Sequence, residues 1–176
     1  MSHQAKPITR RTVLSRRDLM PADARELASA AIAGRVLPLL PDGLVAIYAP
    51  KSSEVDTAVL AAALGDRAVY PRIGDDLVLA FAPGPLAPGA FGLREPTGPA
   101  VPLADIAAFV VPGVAFDRDG GRLGWGRGYY DATLARVHAR TIGVAFECQL
   151  VERVERDAHD INLEFVVTEV ATYGRP

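Results

Sequence analysis

One cysteine, Cys148, occurs in 176 residues, which excludes an internal disulfide framework and most thiolate metal sites. A reducing cytoplasm is the expected compartment. No apolar run reaches transmembrane length, because Pro83, Pro85 and Pro88 interrupt the most hydrophobic region, so no membrane partner is expected. Positive charge is not in excess either. The 19 basic and 21 acidic residues leave a net charge of −2, against a general nucleic-acid binder. No Gly-Lys pair exists, which removes the phosphate motif GxxxxGK[ST]. Tyr129 and Asp131 stand where a third glycine would complete GxGxxG, so the dinucleotide fingerprint is missing too.

Apolar residues make up 49% of the chain, enough to fill one core, and residues 1–176 are read as a single domain. The first seventeen residues hold Lys6, Arg10, Arg11, Arg16 and Arg17 with no acid among them. An export signal would continue with an apolar stretch, whereas this chain continues PADARELAS. On a helix, Lys6, Arg10 and Arg17 share one face, which is either a solvated surface or an anion-binding face. Helices are expected at 7–19, 22–37, 55–64 and 129–138, with Leu27, Ala31, Val36 and Leu37 as the apolar stripe of the second. Strands are expected at 44–48, 67–70, 77–81, 106–111, 141–146 and 165–168. Several lack polar alternation, as parallel strands covered on both faces do. The class is therefore α/β, a three-layer α/β/α arrangement around a mostly parallel sheet, with ligands at the carboxyl ends of its strands. Pro83 to Pro102, with six prolines and four glycines, reads as an irregular excursion.

The densest chemistry lies in GGRLGWGRGYYD, residues 120–131. Glycines at 120, 121, 124, 126 and 128 leave backbone N–H groups open to a ligand, and the loop runs into a helix start, where an anion is favoured. Arg122, Trp125, Arg127 and Tyr129 interleave with them, unlike in a flexible linker. Asp131, in the first helical turn, is either a partner of the helix dipole or a ligand for Mg²⁺ beside bound phosphates.

Glu54 follows a predicted strand in KSSEVDT. Ser53 with Asp56 fits a capping box, which leaves Glu54 free to accept hydrogen bonds from an amino-pyrimidine ring. His159 and Asp160 read as a solvated or loop-fixing pair with no catalytic role. Cys148 reads as a small buried thiol rather than a nucleophile.

The run PGVAFDRDGGRLGWGRGYYD (112–131) resembles the signature of the 5-formyltetrahydrofolate cyclo-ligases, or methenyltetrahydrofolate synthetases. The likeness extends to the K-x-x-x-R start at Lys6 and Arg10, EVDT at 54–57, FGLREP at 91–96, IGVAFECQ at 142–149 and HDINLEFVVTE at 159–169. It implies a fold of the ribose-phosphate isomerase and CoA-transferase type. It also implies an ATP- and Mg²⁺-dependent cyclisation of 5-formyltetrahydrofolate to 5,10-methenyltetrahydrofolate with release of ADP and phosphate. By the same resemblance Lys6, Arg10 and the stretch Gly121, Arg122, Leu123, Gly124, Trp125, Gly126, Arg127, Gly128 and Tyr129 contact ATP. Arg122, Arg127 and Tyr129 serve the chemical step, and Glu54, Trp125, Gly126 and Tyr129 contact the folate. Asp131 and Glu164 are the metal candidates.

This chain departs from the usual pattern at several positions. Trp125 replaces a tyrosine, Arg127 a glycine or lysine, Thr9 a leucine, and LVLAF lacks the usual methionine; Glu164 replaces an aspartate. The partner implied is a small folate, polyglutamylated or not, and a monomer is expected. Two other readings stay open. One is a paralogue that binds nucleotide and pterin without turnover; the other is an ATP-dependent ligase or kinase on a different small substrate.

Overall fold

Short apolar runs alternating with helices build a single seven-stranded sheet in this computed structural model, which describes residues 5–74, 76–157 and 160–174. Its strands are β1 (Leu44–Ala46), β2 (Ala68–Arg72), β3 (Ala80–Ala82), β6 (Ile106–Val111), β9 (Arg140–Val144), β10 (Phe165–Val167) and β11 (Thr172–Gly174), in the order β11-β10-β9-β6-β1-β2-β3. The five inner strands are parallel to their neighbours, and β3 and β11 close the two edges antiparallel. Two small hairpins stand apart: β4 (Leu86–Pro88) with β5 (Arg94–Pro96), and β7 (Ala115–Phe116) with β8 (Arg122–Leu123).

Alternate residues of the central strands serve opposite faces, as the pleat requires. Val45, Ile47, Ala108, Val110, Ile142 and Val144 join one core with Ile32 and Val36 of α2 (Ala22–Val36) and Leu60 and Leu64 of α3 (Ala58–Leu64). Ala46, Phe109, Val111 and Val166 join the other, with Phe116 and Leu134 of α4 (Tyr129–Leu134). Each fully buried large side chain here contributes about 1.5–3 kcal/mol over its exposed state. Phe81 and Phe109 add an edge-to-face pair, with centroids 5.4 Å apart. A third cluster, Val13 with Val114, Leu123 and Val154, fastens α1 (Ala5–Asp18) to the β7–β8 hairpin. No helix among the described residues is long and apolar enough to cross a membrane.

Several expectations are corrected. The apolar face of α2 runs through Ala28, Ile32, Ala33 and Val36, while Leu27 is 74% exposed and Ala31 is also outward. The stretch 83–102 is not irregular, because its centre is the β4–β5 hairpin. Helix α4 stops at Leu134 rather than 138. Its end tightens into short-range bonds, Arg136 N to Thr133 O and Val137 N to Leu134 O. The capping box of α3 does not form: Ser53 accepts from Arg17 Nε at 3.0 Å and donates to Asp18, four residues short of the helix's N-cap, Thr57.

Candidate active site

Glu54 follows β1, the 112–128 segment follows β6, and Glu147 to Gln149 follow β9, so three connections meet at the carboxyl ends of parallel strands. The third connection works as a support. Gln149, 1% exposed, donates from Nε2 to the carbonyls of Gly113 (3.1 Å) and Val114 (2.9 Å) and fixes where the long loop leaves the sheet.

The loop divides into a structural half and an exposed half. In the first, buried Asp117 accepts from the backbone N–H of Gly121 (2.8 Å), Asp119 (3.0 Å) and Val154 (2.9 Å), and from Arg156 NH2 at 3.0 Å on each oxygen. Burial alone would raise the Asp117 carboxyl, but these N–H donors and the Arg156 cation outweigh it and hold it below its ordinary value. Gly120 has φ +84° and lies against Leu163, so that a Cβ would sit 2.2 Å from the Leu163 carbonyl oxygen. Two residues expected at the nucleotide are thereby used by the hairpin. Gly121 spends its N–H on Asp117, and Leu123 buries its side chain with Val13 and donates no ligand surface.

From Gly124 onward the loop is open. Trp125, Gly126, Arg127 and Gly128 are exposed, and Gly126 (φ +92°) and Gly128 (φ +76°) adopt the left-handed backbone that glycine tolerates. Helix α1 lies alongside, with three of its five cations, Lys6, Arg10 and Arg17, on one face. Lys6 Nζ contacts Asp157 Oδ2 (2.7 Å) and Asp160 Oδ2 (3.4 Å); Arg10 Nε donates to Gly124 O (2.8 Å); Arg17 Nε reaches Ser53 Oγ. Asp160 is thus a loop-fixing contact, and His159, expected beside it, lies outside the described residues.

Glu54 bridges to the loop. Its Oε1 accepts from Trp125 Nε1 at 3.2 Å and its Oε2 from the backbone N–H of Lys51 at 3.0 Å. Burial, followed by the negative charge of Glu54, pushes the Tyr48 phenol well above its usual range. Burial also raises Tyr130 against the pull of Arg122. Both phenols therefore stay protonated at neutral pH, and the Tyr48 hydroxyl donates to the Val55 carbonyl at 2.9 Å. Asp131 accepts from Arg122 NH2 at 2.9 Å, with the Arg122 side chain 4% exposed and Arg122 Nε buried without a partner. Arg127 stacks 4.1 Å from the ring of Phe91, at the tip of the β4–β5 hairpin, and Lys51 Nζ donates to the Phe91 carbonyl at 2.9 Å. Sequence reasoning gave Phe91 no part, since the hairpin that carries it was not recognised.

Glu164 does not join this group. It precedes β10 and its Oε2 meets Arg140 Nε at 3.3 Å, at the amino ends of the strands, opposite the rim that holds Glu54 and the loop. Among the described residues no group of three or more His, Cys, Asp or Glu side chains could hold a metal. Two open concavities of about 540 and 600 Å³ lie elsewhere, and neither is lined by Glu54 or by any residue from 121 to 131.

The arrangement suits a polyanion lying along the exposed glycines, flanked by Arg10 and Arg127, with a hydrogen-bonding ring against Glu54 and Trp125. The sequence model of the 5-formyltetrahydrofolate cyclo-ligase family matches residues 2–169. The 5-formyltetrahydrofolate cyclo-ligase of Mycolicibacterium smegmatis is 34% identical over 185 residues, covering 96% of this chain and 95% of the relative. That of Escherichia coli is 34% identical over 171 residues, covering 87% and 93%. The solution structure of Aquifex aeolicus 5,10-methenyltetrahydrofolate synthetase superposes with a TM-score of 0.83 at 35% identity, over 96% of this chain and 92% of that one. A Mycoplasma pneumoniae synthetase shares the fold, with a TM-score of 0.79 at 23% identity.

Proposed function

This chain belongs to the 5-formyltetrahydrofolate cyclo-ligase family, and from that premise we propose that it converts 5-formyltetrahydrofolate to 5,10-methenyltetrahydrofolate with ATP as co-substrate. The formyl oxygen takes the γ-phosphoryl group and ADP departs. N10 then attacks the activated formyl carbon, and phosphate leaves with the oxygen. The protein contributes alignment and charge more than covalent chemistry.

Lys6 and Arg10 of α1, with the open backbone of Gly124, Gly126 and Gly128, hold the triphosphate. Arg122 and Arg127 neutralise the charge that spreads over the transferring group. Tyr129, at the first position of α4, and Trp125 border the formyl group. Glu54 accepts from the pterin's amino and ring N–H groups.

Asp131 would hold Mg²⁺ through its one carboxylate, since among the described residues no group of three or more His, Cys, Asp or Glu side chains forms an all-protein cage. The ion would supply charge neutralisation on the phosphates. A cytoplasmic monomer acting on free or polyglutamylated folate completes the reading.

The observation that carries it is the Trp125–Glu54 bond, which joins the phosphate loop to the only carboxylate expected at the pterin. The test is to mix the purified protein with 5-formyltetrahydrofolate, ATP and Mg²⁺ and follow the near-ultraviolet absorbance of the methenyl product. An ATP-dependent rise is expected. No rise, with both ligands still bound, would return the chain to the reading of a binding paralogue.

A further inference from the structure

Arg17 is the third cation on the α1 face, and it differs from the other two. Its side chain is 2% exposed. Its Nε donates to Ser53 Oγ at 3.0 Å, its Cζ lies 5.9 Å from the centroid of the Trp125 ring, and its NH1 is buried with no hydrogen-bond partner. Asp18, whose side chain is 60% exposed, approaches Nε only to 3.9 Å, so the charge is not closely paired there. A buried guanidinium with an unused donor is costly, and an apolar side chain of similar length would fill the space without that cost. What Arg17 touches explains its place. Ser53 immediately precedes Glu54, and Trp125 donates to Glu54 Oε1. Arg17 thus grips both routes to one carboxylate, the 51–54 turn from one side and the indole from the other. Ser52 in that turn has φ +55°, a strained backbone for a serine that its neighbours must hold in place.

We propose that Arg17 is a positioning residue for the folate half of the reaction. It sets the Glu54 carboxylate and the Trp125 indole together and does not itself touch substrate. The proposal rests on the cyclo-ligase reading for its kinetic consequence, but not for its structural one. Trp125 is the only tryptophan in the chain, so its emission reports this contact directly.

The experiment compares wild type with Arg17→Met, Arg17→Lys and, as a control, Arg16→Met, which alters an exposed neighbour on the same helix. Tryptophan emission and acrylamide quenching are recorded without ligands, and KM is measured for each substrate. Arg17→Met should change Trp125 emission and quenching and raise the KM for 5-formyltetrahydrofolate on the order of tenfold, leaving the KM for ATP within about twofold. Arg17→Lys keeps charge without the planar fork and should fall between. Arg16→Met should match wild type. Unchanged emission in Arg17→Met would overturn the proposal, as would an equal rise in both KM values with a lower melting temperature. The fluorescence arm needs no turnover, so an absence of cyclo-ligase activity would sink the functional reading and leave the Arg17 contact separately tested.

Discussion

The indole N–H of Trp125 donates to Glu54 Oε1 at 3.2 Å, although the two residues are 71 apart in the chain. The bond makes the glycine loop and the turn after β1 one unit. With Lys51 N on its other oxygen, Glu54 has both acceptors aimed by the protein before any ring arrives. A carboxylate held this way keeps paired acceptor geometry, which an amide cannot reproduce.

Glu54→Gln is therefore expected to weaken folate selectively. One of its two ends turns from acceptor to donor and opposes either Trp125 or Lys51, at a cost of about 1–3 kcal/mol in folate binding. Steady-state kinetics varied in each substrate should show a raised KM for 5-formyltetrahydrofolate and little change for ATP. Equal weakening of both ligands would remove Glu54 from the pterin site.

The sheet was legible in the sequence because IAAFVV and TIGVAF are apolar on both faces, and only a strand covered from both sides needs that. The openness of the loop from Trp125 to Gly128 was legible too, since closely spaced glycines leave the backbone uncovered. What failed depended on distant partners. The two-residue strands β7 and β8 are held by the grip of Asp117 on Gly121, Val154 and Arg156, which no local pattern encodes. In ADARELASAAIAGRV several stripes are apolar, and the one with Ile32 and Val36 wins because branched side chains reach the strands. Glu164 lies in a block resembling the family's, yet sequence position does not say which end of a strand a residue occupies.

The two classes of glycine in the loop should separate by stability. Gly120→Ala forces a left-handed φ of +84° on alanine and drives its Cβ to 2.2 Å from the Leu163 carbonyl oxygen, a combined cost of about 3 kcal/mol. Gly128→Ala meets nothing within 4 Å and carries only the strain of φ +76°, about 1–2 kcal/mol. Denaturant titration should rank them in that order, while turnover per folded molecule should suffer more at Gly128. The reverse ranking in stability would contradict the division of the loop.

Asp117 gives the fold a defined acid sensitivity. Its folded carboxyl is held below the ordinary value, so its stabilisation is fully present above about pH 4 and is lost as pH falls through the lower folded value. Asp117→Asn removes the ion pair with Arg156 and should destabilise the protein by about 1–3 kcal/mol at pH 7. The gap between wild type and variant should narrow as pH drops below about 4. Thermal melts at neutral and acid pH measure it, and a gap independent of pH would show that charge is not what Asp117 contributes.

Asp131 pairs with Arg122, and the proposed magnesium role is a second duty that one substitution can separate from the first. Its carboxylate pairs with Arg122, whose side chain is 4% exposed, so Asp131→Asn leaves a buried cation without its partner charge. A stability loss of about 1–3 kcal/mol follows from that alone. If the same carboxylate also shares Mg²⁺ with the phosphates, the variant loses an electrostatic contact to the transferring group. Turnover then falls by about a hundredfold or more in molecules that remain folded. The two effects respond differently to conditions. Raised Mg²⁺ should restore part of the rate by refilling a weakened site, and it should not restore the melting temperature in the absence of nucleotide. Asp131→Asn assayed well below its melting point across a magnesium titration decides the matter: a near wild-type rate throughout would confine Asp131 to holding Arg122.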